Sequence, residues 1–219
     1  MITLELFSGT ESFSKVARAR GHYTFTVDIE PKFNPSLVKD ISVITLDDIP
    51  KEFRHPDVLW ASIPCTCYSV ASMGHHWAAS GVPKTKEAEE AIRLAQKTIS
   101  FIRELNPRYW FIENPRGMLR KLPVMSGLPR HTVAYCQYGD KRQKPTDIWT
   151  NCDVWRPKPM CKPGSPCHEA APRGSRTGTQ GLSVVQRSVI PPALFEEIFD
   201  HISNPPVSKP AKGVLDGWV

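Results

Sequence analysis

The chain alternates short apolar segments, rich in β-branched and aromatic residues, with longer segments of helical periodicity. In chain order these predict strands at 2–7, 23–27, 57–61 and 109–112 and helices at 13–20, 86–105 and 191–202. Such alternation is typical of a parallel sheet with helices on both faces. Because 219 residues are enough for one such domain and too few for two, we predict a single α/β core.

Polar or reactive residues follow the predicted strands. Gly9, Asp28, Cys65 and Glu113 each lie at or just after the end of one of them. In open parallel sheets, ligands bind beyond the carboxyl ends of the strands. We therefore expect these four residues to share one crevice.

Gly9 and Asp28 stand about twenty residues apart, the relationship of a nucleotide-binding turn and its ribose-binding acid. The sequence from Ser8 to Ser12 is not a dinucleotide fingerprint, so a plain structural turn is the alternative.

Cys65 follows Pro64 on a loop whose amides and nearby cations could lower the pKa of its thiol, which predicts a nucleophile. An ordinary buried cysteine is the alternative. Glu113 follows an apolar strand, where burial would raise the pKa of its carboxyl and suit it to act as an acid. A helix cap before Pro115 is the alternative there.

Taken together and in this order, the motifs resemble those of the cytosine-5 DNA methyltransferase family, in a compact form similar to bacteriophage members. The resemblance spans residues 2–202. The matching segments are Leu6-Phe7-Ser8-Gly9-Thr10, Asp28-Ile29-Glu30, Asp40-Ile41, Ser62-Ile63-Pro64-Cys65-Thr66-Cys67-Tyr68-Ser69, Phe111-Ile112-Glu113-Asn114, 138–144 and Ser188-Val189-Ile190-Pro191-Pro192.

The resemblance implies a Rossmann-like, S-adenosylmethionine-dependent methyltransferase fold and methyl transfer to carbon 5 of a flipped cytosine in double-stranded DNA. Cys65 would attack the base, Glu113 would protonate it, and Asn114 and Arg142 would assist. The implied S-adenosylmethionine-binding residues are Phe7, Ser8, Gly9, Thr10, Asp28, Ile29, Asp40, Ile41, Pro64, Ser188 and Val189. The implied DNA-binding residues are Ser69, Lys144, Arg173 and Arg176.

Three positions depart from the family pattern. Glu11 replaces a usual glycine, Thr66 a usual glutamine and Ser188 a usual asparagine. Only the stretch between Trp149 and Arg187 is available for target recognition, so we expect a short or loose target sequence.

The predicted organisation is a catalytic core over 1–149, an irregular Cys/Pro/Gly-rich insert over 150–186 in place of a large recognition domain, a returning helix over 187–203 and a flexible tail over 204–219. The insert contains three thiols and one imidazole, a donor set that suits a structural zinc ion. Unliganded thiols in a loop are the alternative. These candidate ligands are Cys152, Cys161, Cys167 and His168.

Apolar runs long enough to cross a bilayer are absent, and the first residues do not form a signal peptide, so we expect a soluble protein of the cytoplasm, the host's if the chain is phage-encoded. The net charge of +6 favours a polyanionic partner. Two further hypotheses remain open: the same chemistry on RNA or a free cytidine nucleotide, and a catalytically degenerate homologue that only binds DNA. The sequence does not indicate an oligomeric state.

Overall fold

The computed structural model describes residues 1–162, 164–171 and 181–205, and within them seven strands and five helices. The strands are β1 (Ile2–Leu6), β2 (Tyr23–Asp28), β3 (Leu37–Val38), β4 (Val58–Ser62), β5 (Tyr109–Pro115), β6 (Arg130–Ala134) and β7 (Pro145–Thr150). The helices are α1 (Ser12–Ala19), α2 (Val70–His76), α3 (Lys86–Leu105), α4 (Val184–Ser188) and α5 (Pro192–Ser203).

All seven strands form one sheet in the order β3-β2-β1-β4-β5-β7-β6. The first five of these are parallel, and β7 is antiparallel to both of its neighbours. The order reverses between β1 and β4, which is where open α/β sheets bind their ligands. The predicted α/β class and the four predicted strands are confirmed, whereas β3, β6 and β7 were not predicted.

The register aligns the carboxyl ends of the central strands. Leu6 pairs with Val27 on one side and with Ala61 on the other, and Ser62 pairs with Glu113. The segments that follow β1, β2, β4 and β5 therefore leave the sheet side by side. The crevice expected from the sequence has this physical basis.

Each face of the sheet supports its own apolar core, because successive strand residues point to opposite faces. On β4, Leu59 and Ala61 belong to the core beneath α3, while Val58 and Trp60 belong to the core beneath α1 and α5. In the second core Phe13 stacks on Trp60 with ring centroids 5.9 Å apart.

The segment after β7 is only partly separate from this core. Its described residues from 152 to 171 form neither helix nor strand, as predicted. However, the fully buried Trp155 packs edge-on against Phe111 of β5, and its indole nitrogen donates to Glu197 of α5 at 3.1 Å. Helix α4 also crosses the predicted boundary at 186. The beginning of the insert is thus part of the second core.

None of the helices described, whether before or after the gap at 172–180, is long and apolar enough to cross a membrane. The predicted tail lies outside the described residues from 206 onward.

Replacing Trp155 with alanine is expected to lower the free energy of unfolding by about 3–5 kcal/mol, because it empties a large site in the second core. Urea denaturation of the full chain measures this. Val43→Ala, at a position 62% exposed, is the control and should change stability by less than about 0.5 kcal/mol. A small effect of Trp155→Ala would mean that the insert packs independently of the sheet.

Candidate active site

Cys65 lies on a tight loop that begins where β4 ends. The backbone amides of Tyr68 and Ser69 both donate to the Cys65 carbonyl oxygen, at 3.0 and 2.9 Å, and close the loop into a turn. The Cys65 side chain is half-buried and not in a disulfide. The turn therefore fixes the thiol beside the end of the sheet while leaving it accessible.

The segment after β5 clamps this nucleophile loop. The buried Asn114 donates from Nδ2 to the Ile63 carbonyl at 2.7 Å, and the Met118 amide donates to the Tyr68 carbonyl at 2.8 Å. Gly117 permits this approach, since a Cβ there would stand 2.1 Å from the Tyr68 oxygen. The loop is thus held on both sides of Cys65, in keeping with the assisting role predicted for Asn114.

Glu113 faces the loop from β5 and is buried. Burial raises the pKa of its carboxyl, which is the direction predicted from the sequence, while the Lys144 ammonium and a hydrogen bond from Tyr135 oppose the rise. The Tyr135 hydroxyl donates to Glu113 Oε1 at 2.9 Å. Glu113 is therefore a buried acid held in place by a phenol, a partner that the sequence analysis missed.

Lys144 supplies the cation of the site. Its ammonium lies 4.7 Å from the centre of the Tyr135 ring and donates to the Arg187 carbonyl at 2.8 Å. Burial lowers the pKa of Lys144, and the nearby charges of Glu113 and Cys65 oppose this. The Lys144 backbone has φ +31°, which is unusual for a residue before proline and marks a strained position held by its contacts.

The predicted lowering of the Cys65 pKa is wrong. Burial raises the pKa of this thiol, and the Glu113 charge raises it further, while the Lys144 ammonium only partly compensates. The main reason is burial of the sulfur at the end of the sheet, and the charge of Glu113 adds to it. Formation of the thiolate therefore depends on stabilisation within the pocket.

Arg142 does not occupy the catalytic position predicted for it. Its guanidinium donates hydrogen bonds to both carboxylate oxygens of Asp140 and to the Arg187 carbonyl, the latter at 3.4 Å. Lys144 stands nearer the acid and the thiol instead. The resemblance assigned Arg142 and Lys144 to two different cationic positions of the motif, and only the fold shows which of them lies beside the acid.

The predicted cofactor turn has the required shape. Gly9 has φ +43°, and its amide donates to Asp28 Oδ2 at 2.7 Å, while Oδ1 of the same carboxylate accepts from the Glu30 amide at 2.8 Å. Ser8 is buried, and among the described residues its hydroxyl has no hydrogen-bond partner. A buried, unsatisfied hydroxyl at this turn is consistent with a bound polar ligand.

The other predicted cofactor residues flank this turn. Ile29 is 58% exposed directly after Asp28, which leaves an apolar surface for a base. Asp40 accepts from the Ser42 amide at 2.8 Å and, with Pro64, lines a cleft of about 640 Å³. Phe7, Thr10 and Ile41 occupy the adjoining segments, and of these Ile41 is buried in the first core.

The last of the matching segments, 188–192, lies close to the start of α1. The Ile190 amide donates to the Ser12 hydroxyl at the start of α1, at 3.2 Å. The hydroxyl of Ser188 donates within α4 to the Val185 carbonyl, and Val189 is 40% exposed. The segment 188–190 therefore contacts the start of α1, three residues after Gly9.

The sequence profile of the family described as C-5 cytosine-specific DNA methylase matches residues 1–123, more than half of the chain. The chain belongs to this family. Enzymes of the family use S-adenosylmethionine as cofactor. None of the curated proteins matches this chain.

Among solved structures, the chain is similar to a DNA modification methyltransferase encoded within a prophage of E. coli. They share 18% identity with a TM-score of 0.52, over 74% of this chain and 52% of that one. The methyltransferase EhMeth of Entamoeba histolytica shares 14% identity with a TM-score of 0.49, over 68% of this chain and 52% of that one. The Dnmt2 methyltransferase of S. pombe shares 18% identity with a TM-score of 0.43, over 68% of this chain and 48% of that one. The chain spans about half the length of these structures, and the match to the prophage structure confirms the fold.

The residues predicted to contact DNA lie in different parts of the chain's structure. Ser69 caps α2 and shares a hydrogen bond of 2.9 Å with Ser72, at the edge of the nucleophile loop. Lys144 points into the pocket, as described, so we revise its role from a surface contact to a pocket cation. Arg173 and Arg176 lie outside the described residues.

The predicted zinc ligands need one correction. Cys152 is buried in the second core beside Trp155 and lies apart from the other three. Its place is taken by Cys136, whose side-chain sulfur lies within 4.8 Å of the donor atoms of Cys161, Cys167 and His168. The apolar pair Val154-Trp155 was a sequence signal that Cys152 belongs to the core, whereas nothing local pointed to Cys136.

Replacing Lys144 with methionine is expected to shift the pH midpoint for alkylation of Cys65 to higher pH. The ammonium lowers the pKa of the thiol, and only the thiolate reacts, so its removal leaves less thiolate at any given pH. Iodoacetamide labelling, followed at the Cys65 peptide by mass spectrometry, measures the midpoint. Lys141→Met, which removes an exposed lysine three residues earlier, should leave it unchanged. A midpoint that stays fixed in Lys144→Met would refute the contact.

Proposed function

We propose that the chain methylates carbon 5 of cytosine in double-stranded DNA, with Cys65 forming a transient bond to carbon 6 of an extruded base. The observation that supports this best is the convergence of a thiol, a buried carboxyl and an ammonium where β4 and β5 end. Family membership supports the same chemistry.

S-adenosylmethionine fits the turn at the ends of β1 and β2. Ser8 offers a buried hydroxyl without a partner, the positive φ of Gly9 lets backbone approach a ligand, and Asp28 has lone pairs left for ribose hydroxyls. Ile29 would pack against the adenine ring. When bound there, the cofactor supplies an electrophilic methyl group.

The residues of the chain prepare the base for that methyl. Attack by the Cys65 sulfur at carbon 6 makes carbon 5 nucleophilic, and proton donation from Glu113 to ring nitrogen 3 neutralises the charge that develops. The Lys144 ammonium stabilises the thiolate as the thiol loses its proton. Once carbon 5 has accepted the methyl group, its proton passes to solvent, the electron pair of that bond re-forms the ring double bond and expels Cys65 as a thiolate, and nitrogen 3 returns its proton to Glu113.

Tyr135 and Asn114 act as positioning residues. The Tyr135 hydroxyl orients the Glu113 carboxyl by donating a hydrogen bond to it, and Asn114 donates to the Ile63 carbonyl, two residues before the nucleophile. Both groups are buried, so their hydrogen bonds are protected from competition with water. The acid and the sulfur are therefore fixed before the base arrives.

A stacked base cannot present itself to both the sulfur and the acid, so the target must leave the duplex at a cost of a few kcal/mol. Phosphate contacts by the net positive chain offset part of this cost. Only the stretch between Trp149 and Arg187 is available for target recognition, which supports recognition of a short target sequence.

Replacing Cys65 with serine is expected to abolish methyl transfer and leave cofactor binding intact, because a hydroxyl is far less nucleophilic than a thiol at neutral pH. Incorporation of a tritiated methyl group into duplex DNA measures methyl transfer. Titration calorimetry with S-adenosylmethionine measures cofactor binding. Cys152→Ala, which alters a sulfur in the second core, is the control and should remain active.

The same assay separates the possible substrates. Duplex DNA, single-stranded RNA and cytidine triphosphate are compared at equal cytosine concentration, and bisulfite sequencing identifies the methylated base. We expect methylation of duplex DNA. Activity confined to RNA or the nucleotide would reassign the substrate, whereas wild-type activity in Cys65→Ser would refute the mechanism.

Replacing Tyr135 with phenylalanine is expected to move the alkaline limb of the activity profile to higher pH. The Tyr135 hydrogen bond lowers the pKa of Glu113, and the acid must be protonated to work, so its loss extends activity upward in pH. The pH dependence of kcat measures the shift. For comparison, Glu113→Gln should lower kcat by about 10²–10⁴-fold at all pH values, because it removes the proton donor. An unmoved limb in Tyr135→Phe would leave Tyr135 with a packing role only.

A further inference from the structure

Four soft donor groups meet outside the catalytic pocket, where the segment after β6 contacts the insert. Cys136 lies in the 3-10 turn Tyr135–Tyr138, and Cys161, Cys167 and His168 come from the insert. All four donor atoms lie within 4.8 Å of one another. Methyl transfer does not use any of them.

The distances between these donor atoms fit a tetrahedral metal. With zinc–sulfur bonds of about 2.3 Å, two ligating sulfurs stand about 3.8 Å apart, and a sulfur and a nitrogen about 3.6 Å apart. The Cys136 sulfur is 3.3 Å from that of Cys161 and 3.6 Å from that of Cys167. His168 Nδ1 is 3.7 Å from the Cys161 sulfur and 3.5 Å from the Cys167 sulfur.

The surroundings of the cluster also suit thiolate ligands. Gln143 Nε2 lies 3.2 Å from the Cys161 sulfur, and Gln137 Nε2 lies 3.3 Å from the Cys167 sulfur, so both amides can donate to them. Such outer hydrogen bonds orient metal ligands and stabilise their charge. Cys136 is buried and Cys167 exposed, so the cluster has both an anchored side and an open path for metal entry.

We propose that Cys136, Cys161, Cys167 and His168 bind one structural zinc ion. Three thiolates and one imidazole complete a closed four-coordinate site, which leaves no position for a substrate or water. The ion would join the insert to the turn after β6, across a stretch with neither helix nor strand.

This site has a consequence for the pocket, because Cys136 follows Tyr135 directly in the chain. The Tyr135 hydroxyl orients the Glu113 carboxyl, and the Lys144 ammonium lies over the Tyr135 ring. The Glu169 amide donates to the Lys141 carbonyl at 2.8 Å just beyond the cluster, so the insert contacts the same segment twice. Zinc would therefore fix one wall of the active site.

The test is the zinc content of the full chain, purified under reducing conditions without chelator and measured by inductively coupled plasma mass spectrometry. We expect about one zinc ion per chain in the wild type and in Cys152→Ala. Cys136→Ala and Cys167→Ala should lose most of it. Equal zinc in Cys136→Ala and the wild type, or loss only in Cys152→Ala, would overturn the assignment.

Cobalt substitution tests the metal coordination without an activity assay, and its wild-type readout does not depend on the folding of any variant. Wild-type protein loaded with Co²⁺ should show the visible absorption of tetrahedral thiolate coordination, and Cys167→Ala, altered at an exposed position, should lose it. Thiol titration covers the competing outcome, a disulfide. A metal-free wild type with two fewer free thiols than its six cysteines would mean that Cys136 and Cys161 are oxidised, and would refute the zinc site.

Discussion

The pairing of β4 with β5 is the constraint on which the site depends. Parallel register sets Ser62 opposite Glu113, and the next residue on each strand continues the alignment through the hydrogen bond from Asn114 to the Ile63 carbonyl. Two segments that are fifty residues apart in the chain therefore leave the sheet together, with the nucleophile on one and the acid on the other. A slip of one residue would turn Glu113 to the opposite face of the sheet and separate the pair.

Burial then sets the electrostatics of the pocket. It raises the pKa of both Cys65 and Glu113 and lowers that of Lys144, so that every group is pushed toward its neutral form. The attraction of Lys144 to Glu113 and Cys65 opposes this effect of burial, whereas the repulsion between Glu113 and Cys65 adds to it for the thiol. The raised pKa of Glu113 suits an acid, and the raised pKa of Cys65 means that the thiolate forms with help from the Lys144 cation.

Much of the fold and half of the site could be predicted from the sequence, because both depend on local patterns. Strand runs ending in a reactive residue placed Gly9, Asp28, Cys65 and Glu113 together without any knowledge of long-range contacts. The errors arose where two candidates of the same type competed. Whether Arg142 or Lys144 faces the acid, and whether Cys136 or Cys152 joins the thiol cluster, depends on how separate segments pack. Strand β3 has only two residues, and β7 begins with Pro145 and buries the polar residues Thr146 and Asp147, so neither forms an apolar run that indicates a strand.

The close passage of Gly117 beneath the Tyr68 carbonyl has a consequence for how this chain can vary. Any side chain at position 117 would push the nucleophile loop away from the segment after β5, so this glycine constrains the position of Cys65 through the backbone alone, without contacting a reactant.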